Sequence, residues 1–141
     1  MSETIGLDTN ILARYYVSDA ADVATERQRK SARKLIESGR PLAVAKTVVL
    51  ELEWVLRGYY GFEAQEIGQV FAHLLAQPNI HVEDRSVVEQ AVRNHAAGLD
   101  FADALHHASY NDCRAMATFD DRRFARRARR LNLAPTVTLP R

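Results

Sequence analysis

Carboxylates recur in this chain at one kind of place, just beyond a short apolar run and at the start of a helical one. Asp8 follows "TIGL" and precedes "TNIL". Glu51 sits about a turn into "TVVLELEWVL", after "PLAVA". Asp100 and Asp103 are spaced i, i+3 in "GLDFADAL", and Asp120 and Asp121 follow "AMATF". Clustered carboxylates repel, and some take up protons unless a cation compensates them. Oxygen ligands with few His or Cys nearby suit Mg2+ or Mn2+ better than zinc. Such an ion polarises a phosphoryl oxygen and lowers the pKa of a water it holds, so the pattern points to metal-dependent hydrolysis of a phosphodiester. Each acid also has a plainer reading. Asp8, Asp100 and Asp121 are placed to cap the helices that follow them. Glu51 lies between apolar neighbours while Glu53 points away from its face, and a half-buried Glu is uncommon without a task.

These acids need a scaffold that brings distant segments together. Short β-like segments alternate with helical ones: "TIGL", "PLAVA", "NIHVE", "AMATF" and "TVTL" read as strands. Helices are expected after Asp8, over about 23–38, within "TVVLELEWVLRGYY", and over about 63–76, 85–97, 101–112 and 122–131. In the third of these, Val48, Leu52, Val55 and Tyr59 mark an apolar stripe broken by Gly58 and Gly61. Strands alternating with helices imply βαβ units, a largely parallel sheet of about five strands and helices on both faces. In such a sheet ligands bind beyond the carboxyl ends of the strands, which is where the acids fall.

With 141 residues, the chain predicts one core and a single domain over 1–141. Its 47% hydrophobic and 26% charged residues are those of a folded protein rather than a disordered one. No apolar stretch is long enough to span a bilayer and the N-terminus is not signal-like, so no membrane association is expected. Cys113 is the only cysteine. That excludes an internal disulfide and fits a reducing cytoplasm, and Cys113 itself reads as a half-buried, inert thiol at a helix end.

Four segments occur in order: "GLDTNILARYY", "TVVLELEWVLRGYYG", "LDFADALHHASYNDC" and "AMATFDDRRFAR". Together they resemble the motifs of PIN-domain ribonucleases and, more specifically, VapC-type toxins of bacterial toxin–antitoxin pairs. The resemblance covers nearly the whole chain. It implies a three-layer α/β/α sandwich with a parallel sheet, Mg2+ or Mn2+ dependence and endonucleolytic cleavage of RNA, tRNA or rRNA, by a metal-activated water. Its acids fall on Asp8, Glu51, Asp103 and Asp120, with Asp8 and Asp103 as direct metal ligands. Thr9, Asn10 and Thr118 fall on polar positions that support the acids, while Asp100 and Asp121 match less constant positions. A cognate VapB-type antitoxin occupying the acidic cleft is implied, as is a homodimer.

The charge distribution is uneven beneath a net charge of +1. From Arg114 onward there are 8 basic and 2 acidic residues, and "RRFARRARR" is dense with arginine. Arg122, Arg123, Arg126 and Arg127 are candidates for RNA phosphate contacts; the plainer reading is a solvated helix face around Phe124 and Leu131. His106 and His107 are adjacent, so they diverge on a helix, and a solvent-facing or packing role suits them. Trp54 and Tyr59 read as core or dimer packing rather than base stacking. Two other classes compete. A receiver-like Mg2+-binding signalling module wants paired acids after the first strand, but Thr9 and Asn10 follow Asp8, and the only lysines are Lys30, Lys34 and Lys46. A haloacid-type phosphatase wants an acid where Asn10 stands. A non-catalytic PIN scaffold is the remaining alternative.

Overall fold

Buried Leu42 and Val44 flank a half-buried Ala43, and buried Ile80 and Val82 flank an exposed His81. This period-two alternation marks strands with one face packed. The computed structural model describes residues 2–18 and 22–141 and divides into two compact units, Met1–Arg85 and Ser86–Arg141. It has the mixed α/β architecture expected, with all five strands present and every strand pair parallel.

In the first unit, β1 (Ile5–Gly6), β2 (Leu42–Val44) and β3 (Ile80–Val82) form a sheet in that order. Ile5 lies opposite Leu42, and Leu42 opposite Ile80. Helix α1 (Thr9–Tyr16) leaves β1 directly, and α2 (Val23–Ile36) starts at Asp22, whose carboxylate accepts the Thr25 N–H at 2.8 Å. Gly39, at φ +79°, makes the left-handed turn out of α2 that a side chain would resist. Helix α3 (Lys46–Trp54) runs on into a π-helical turn, Val55–Tyr59, closed by Tyr60 N–H donating to the Val55 carbonyl at 3.2 Å. Helix α4 (Ala64–Ala76) opens on a Glu63/Glu66 capping box. Helix α1 packs on α2 and α3, and the core holds Leu12, Ile36, Val49, Leu52, Leu56, Ile67, Phe71 and Leu74.

The buried stripe of α3 and its π turn is Val49, Leu52, Glu53 and Leu56, at i, i+3, i+4 and i+7. It is not the stripe through Val48, Val55 and Tyr59 that the sequence suggested. Glu53 therefore occupies a core position, only 3% exposed, and its carboxylate accepts the Arg57 Nε–H at 2.8 Å. Truncating Arg57 to Met leaves that carboxylate short of its cation. We expect a loss of about 1–2 kcal/mol in urea unfolding at neutral pH, and less than half of that when Glu53 is also changed to Gln.

In the second unit, α5 (Arg85–Ala96) is followed by α6 (Phe101–Ser109), then β4 (Ala115–Ala117), a second π-helical turn (Asp121–Ala125), α7 (Arg126–Arg130) and β5 (Thr136–Thr138). Strands β4 and β5 pair in parallel with Met116 opposite Val137. Helix α6 stops three residues before the expected end. Ser109 Oγ donates back to the Leu105 carbonyl and Tyr110 N–H to that of His107, which turns the chain. Cys113 thus lies in the turn beyond the helix and is exposed, contrary to the half-buried placement expected. The two histidines diverge as adjacent helical residues must: His106 is exposed and His107 fully buried, its Nε2 2.8 Å from the Pro135 carbonyl oxygen and its ring edge-on to Phe124. Among the described residues, no helix is long and apolar enough to cross a membrane.

Candidate active site

Each unit carries part of the predicted acidic set. In the first, Asp8 stands immediately beyond β1 and caps α1, its carboxylate accepting the Thr9 N–H at 2.8 Å. Thr9 is buried, and its hydroxyl donates a short hydrogen bond to Glu51 Oε1 on α3. The side chain next to Asp8 therefore engages Glu51. Asp8, Thr9, Asn10 and Glu51 line one cleft of about 320 Å3, together with Trp54 and Tyr59. Glu51 is exposed there, not half-buried; the buried acid of α3 is Glu53. Apolar residues flank both acids in sequence, and one step of register along the helix decides which of them faces the core.

In the second unit, Asp100 and Asp120 lie near enough to Asp103 for their charges to act on it. Asp100 caps α6 by accepting the Asp103 N–H at 3.1 Å. Asp103, half-buried in the first turn of α6, has its carboxyl held above the ordinary aspartate value. Burial is the main cause, followed by the charges of Asp100 and Asp120; His106 and Arg127 pull the other way. Asp120 accepts the Arg123 N–H at 2.9 Å, and its own N–H donates to Thr118 Oγ1 at 3.1 Å. The helix cap predicted for Asp121 belongs to Asp120 instead. Asp120 has the extended backbone a cap needs, while Asp121 is already within the π turn and pairs with Arg126 at 3.1 Å.

The basic candidates separate by what already engages them. Arg126 is held by Asp121, and Arg127 Nη1 donates to the Gly98 carbonyl at 3.2 Å. Arg122 and Arg123 are exposed at the start of the π turn, and Phe124 is buried between them and α7 in sequence.

Comparison with family models finds the PIN domain over residues 5–130. The chain belongs to the PIN domain family. Comparison with curated proteins gives no significant match. PIN domains are generally metal-dependent nucleases, and the acids of this PIN domain suit that chemistry by type. The donors are all carboxylate oxygens, the kind that hard divalent ions prefer. Asp103, strained electrostatically by Asp100 and Asp120, is a group whose ionised form a cation would relieve. Among the described residues, no three His, Cys, Asp or Glu side chains are grouped so as to hold an ion by themselves. The fit is one of donor chemistry and charge.

Two residues of the cleft were assigned elsewhere from the sequence. Trp54 is 60% exposed and Tyr59 77% exposed, so neither packs in the core. The π turn that places Tyr59 has no signature in apolar periodicity; Gly58 and Gly61 marked only that the helix would break.

Proposed function

We propose that this PIN domain is a Mg2+- or Mn2+-dependent endoribonuclease and the toxin of a type II toxin–antitoxin module. The observation that carries the reading is Asp103, a carboxyl pushed toward its protonated form by burial and by Asp100 and Asp120, in a chain of a nuclease family. Residues 1–141 act in this reading as one domain, and Asp8, Glu51, Asp103 and Asp120 are its catalytic acids. Asp8 and Asp103 would ligate the ion directly, and Glu51 and Asp120 through water or by tuning the site.

When bound, the ion supplies Lewis acidity toward a phosphoryl oxygen and a more acidic water. The chain's own side chains do the rest. Thr9 fixes the Glu51 carboxylate so that it can take a proton from an attacking water. The Arg123 amide donates to the Asp120 carboxylate and Thr118 Oγ1 accepts the Asp120 backbone N–H, which together hold Asp120 in place. Arg122 and Arg123, with Arg126 and Arg127 as weaker candidates, attract the RNA backbone. Attack of water rather than of the 2′-hydroxyl leaves a 5′-phosphate. The partners that go with this role are a VapB-type antitoxin lying over the acidic cleft, a second copy of the chain as a homodimer, and tRNA or rRNA as substrate, all in the cytoplasm.

The test is cleavage of labelled total RNA by purified protein in Mg2+ or Mn2+ and in EDTA, beside Asp8→Ala. Discrete fragments with 5′-phosphates that need metal and vanish in the variant are expected. A metal-loaded, antitoxin-free wild type that cuts nothing across a broad RNA pool returns the chain to the scaffold reading.

A further inference from the structure

Resting on the ribonuclease reading, we infer that Trp54 and Tyr59 form a stacking site for an unpaired RNA base beside the Asp8–Glu51 carboxylates. The two aromatics are exposed and line the same cleft as both acids. At 3.6 residues per turn, positions five apart point about 140° away from each other around an α-helix. The π turn from Val55 to Tyr59 closes five residues on and brings them back toward one side. The sequence spends an irregular turn on this juxtaposition.

Neighbours hold the rings in place without covering them. Tyr59 packs edge-on to Tyr60 at 4.8 Å between centroids, and Tyr60 is tied by its hydroxyl to Arg14 Nη1 at 3.1 Å. Arg14 also donates to Gln28 Oε1 at 2.9 Å, so this support reaches back to α2. The Trp54 indole lies back along its own helix, where a Cβ on Gly58 would meet it in ordinary van der Waals contact at 3.7 Å. Aromatic faces hold single strands without sequence preference because every base has a π-face, and Arg14, which lines the same cleft, adds a positive charge beside them.

A second protein copy is the rival occupant, and the acids argue against it. A dry apolar contact over this cleft would also take Asp8 and Glu51 out of water, and the cation that lines it, Arg14, is already engaged by Tyr60 and Gln28. A single base stacked on the exposed rings leaves both carboxylates in water.

Trp54 is the only tryptophan, so its fluorescence reports on the site without any need for catalysis. The experiment titrates the full chain, in EDTA, with a short single-stranded oligoribonucleotide and with its duplex. Saturable quenching by the single strand, and much weaker quenching by the duplex, is expected. By anisotropy of the labelled strand, Trp54→Ala should bind about tenfold more weakly, Tyr59→Ala several-fold more weakly, and Trp54→Phe close to wild type. Unquenched fluorescence with unchanged affinity in Trp54→Ala overturns the site. So does a wild-type emission shift that depends on protein concentration alone, together with sedimentation showing that Trp54→Ala turns a dimer into a monomer. Quenching that persists in a protein with no metal-dependent cleavage overturns the nuclease and leaves the stacking site standing.

Discussion

Asp103→Asn is expected to abolish metal-dependent RNA cleavage and, at the same time, to make the metal-free protein more stable. The first effect follows from removing a proposed ligand and the charge it directs at the reaction, for which a loss of about 10²–10³-fold is typical. The second follows from the raised carboxyl. A folded-state pKa above the unfolded one means that folding favours the protonated acid. Its stabilising contribution is complete below the ordinary value of 3.8 and is lost as pH rises through the raised value, so at pH 7 the ionised Asp103 is a burden. Asn is neutral at every pH and carries no such burden. Because Asp103 is only half-buried, water screens much of the effect, and a gain in Tm of about 1–3 °C at pH 7 is expected, vanishing below pH 4. Adding Mg2+ should raise the Tm of the wild type and leave Asp103→Asn unmoved. A variant that is both inactive and less stable at pH 7 would place Asp103 among the structural residues instead.

The largest loss of stability is expected from Phe124→Ala. Its ring is 1% exposed, meets His107 edge-on and lies in the middle of the arginine-rich segment. Deleting a buried aromatic side chain costs about 3–5 kcal/mol, part of it for the cavity left behind. For a chain of this length that amounts to roughly 10 °C in Tm. Replacing exposed Arg122 and Arg123 by Gln should shift Tm by no more than about 1 °C, yet lower RNA affinity and flatten its dependence on salt. Phe124 holds the segment down, and the exposed Arg122 and Arg123 before it can face a polyanion. Equal destabilisation by the arginine changes would contradict this division.

The strands and the order of elements were legible because each strand is a short apolar run bounded by breakers, and because the helices between them are long enough to show their period. Asp8, Thr9, Asp100 and Thr118 could be placed for a similar reason, since caps and strand ends are local features. The misassignments arose where a single residue of register decides the outcome. "VVLELEWVL" has apolar residues on nearly every side, so the core face of α3 is chosen by packing against α1, and Glu53 rather than Glu51 turns inward. In "TFDD" either aspartate has cap chemistry, and the backbone, extended at Asp120 and helical after it, selects the first. Tyr59 was put on the apolar stripe because an α-helical period was applied across a turn that does not obey it.

That turn makes the cleft sensitive to the number of residues as well as to their kind. A π turn holds one residue more than the α turn it replaces. Deleting Gly58 would let the segment regain an α-helical path, swing the aromatic that follows by roughly 100° about the axis and leave Glu51 and Thr9 where they are. A one-codon deletion could therefore separate the choice of RNA from the cutting of it. In the proposed reading, the length of a helix is an inheritable setting for which strands are held, distinct from the acids assigned to cutting them.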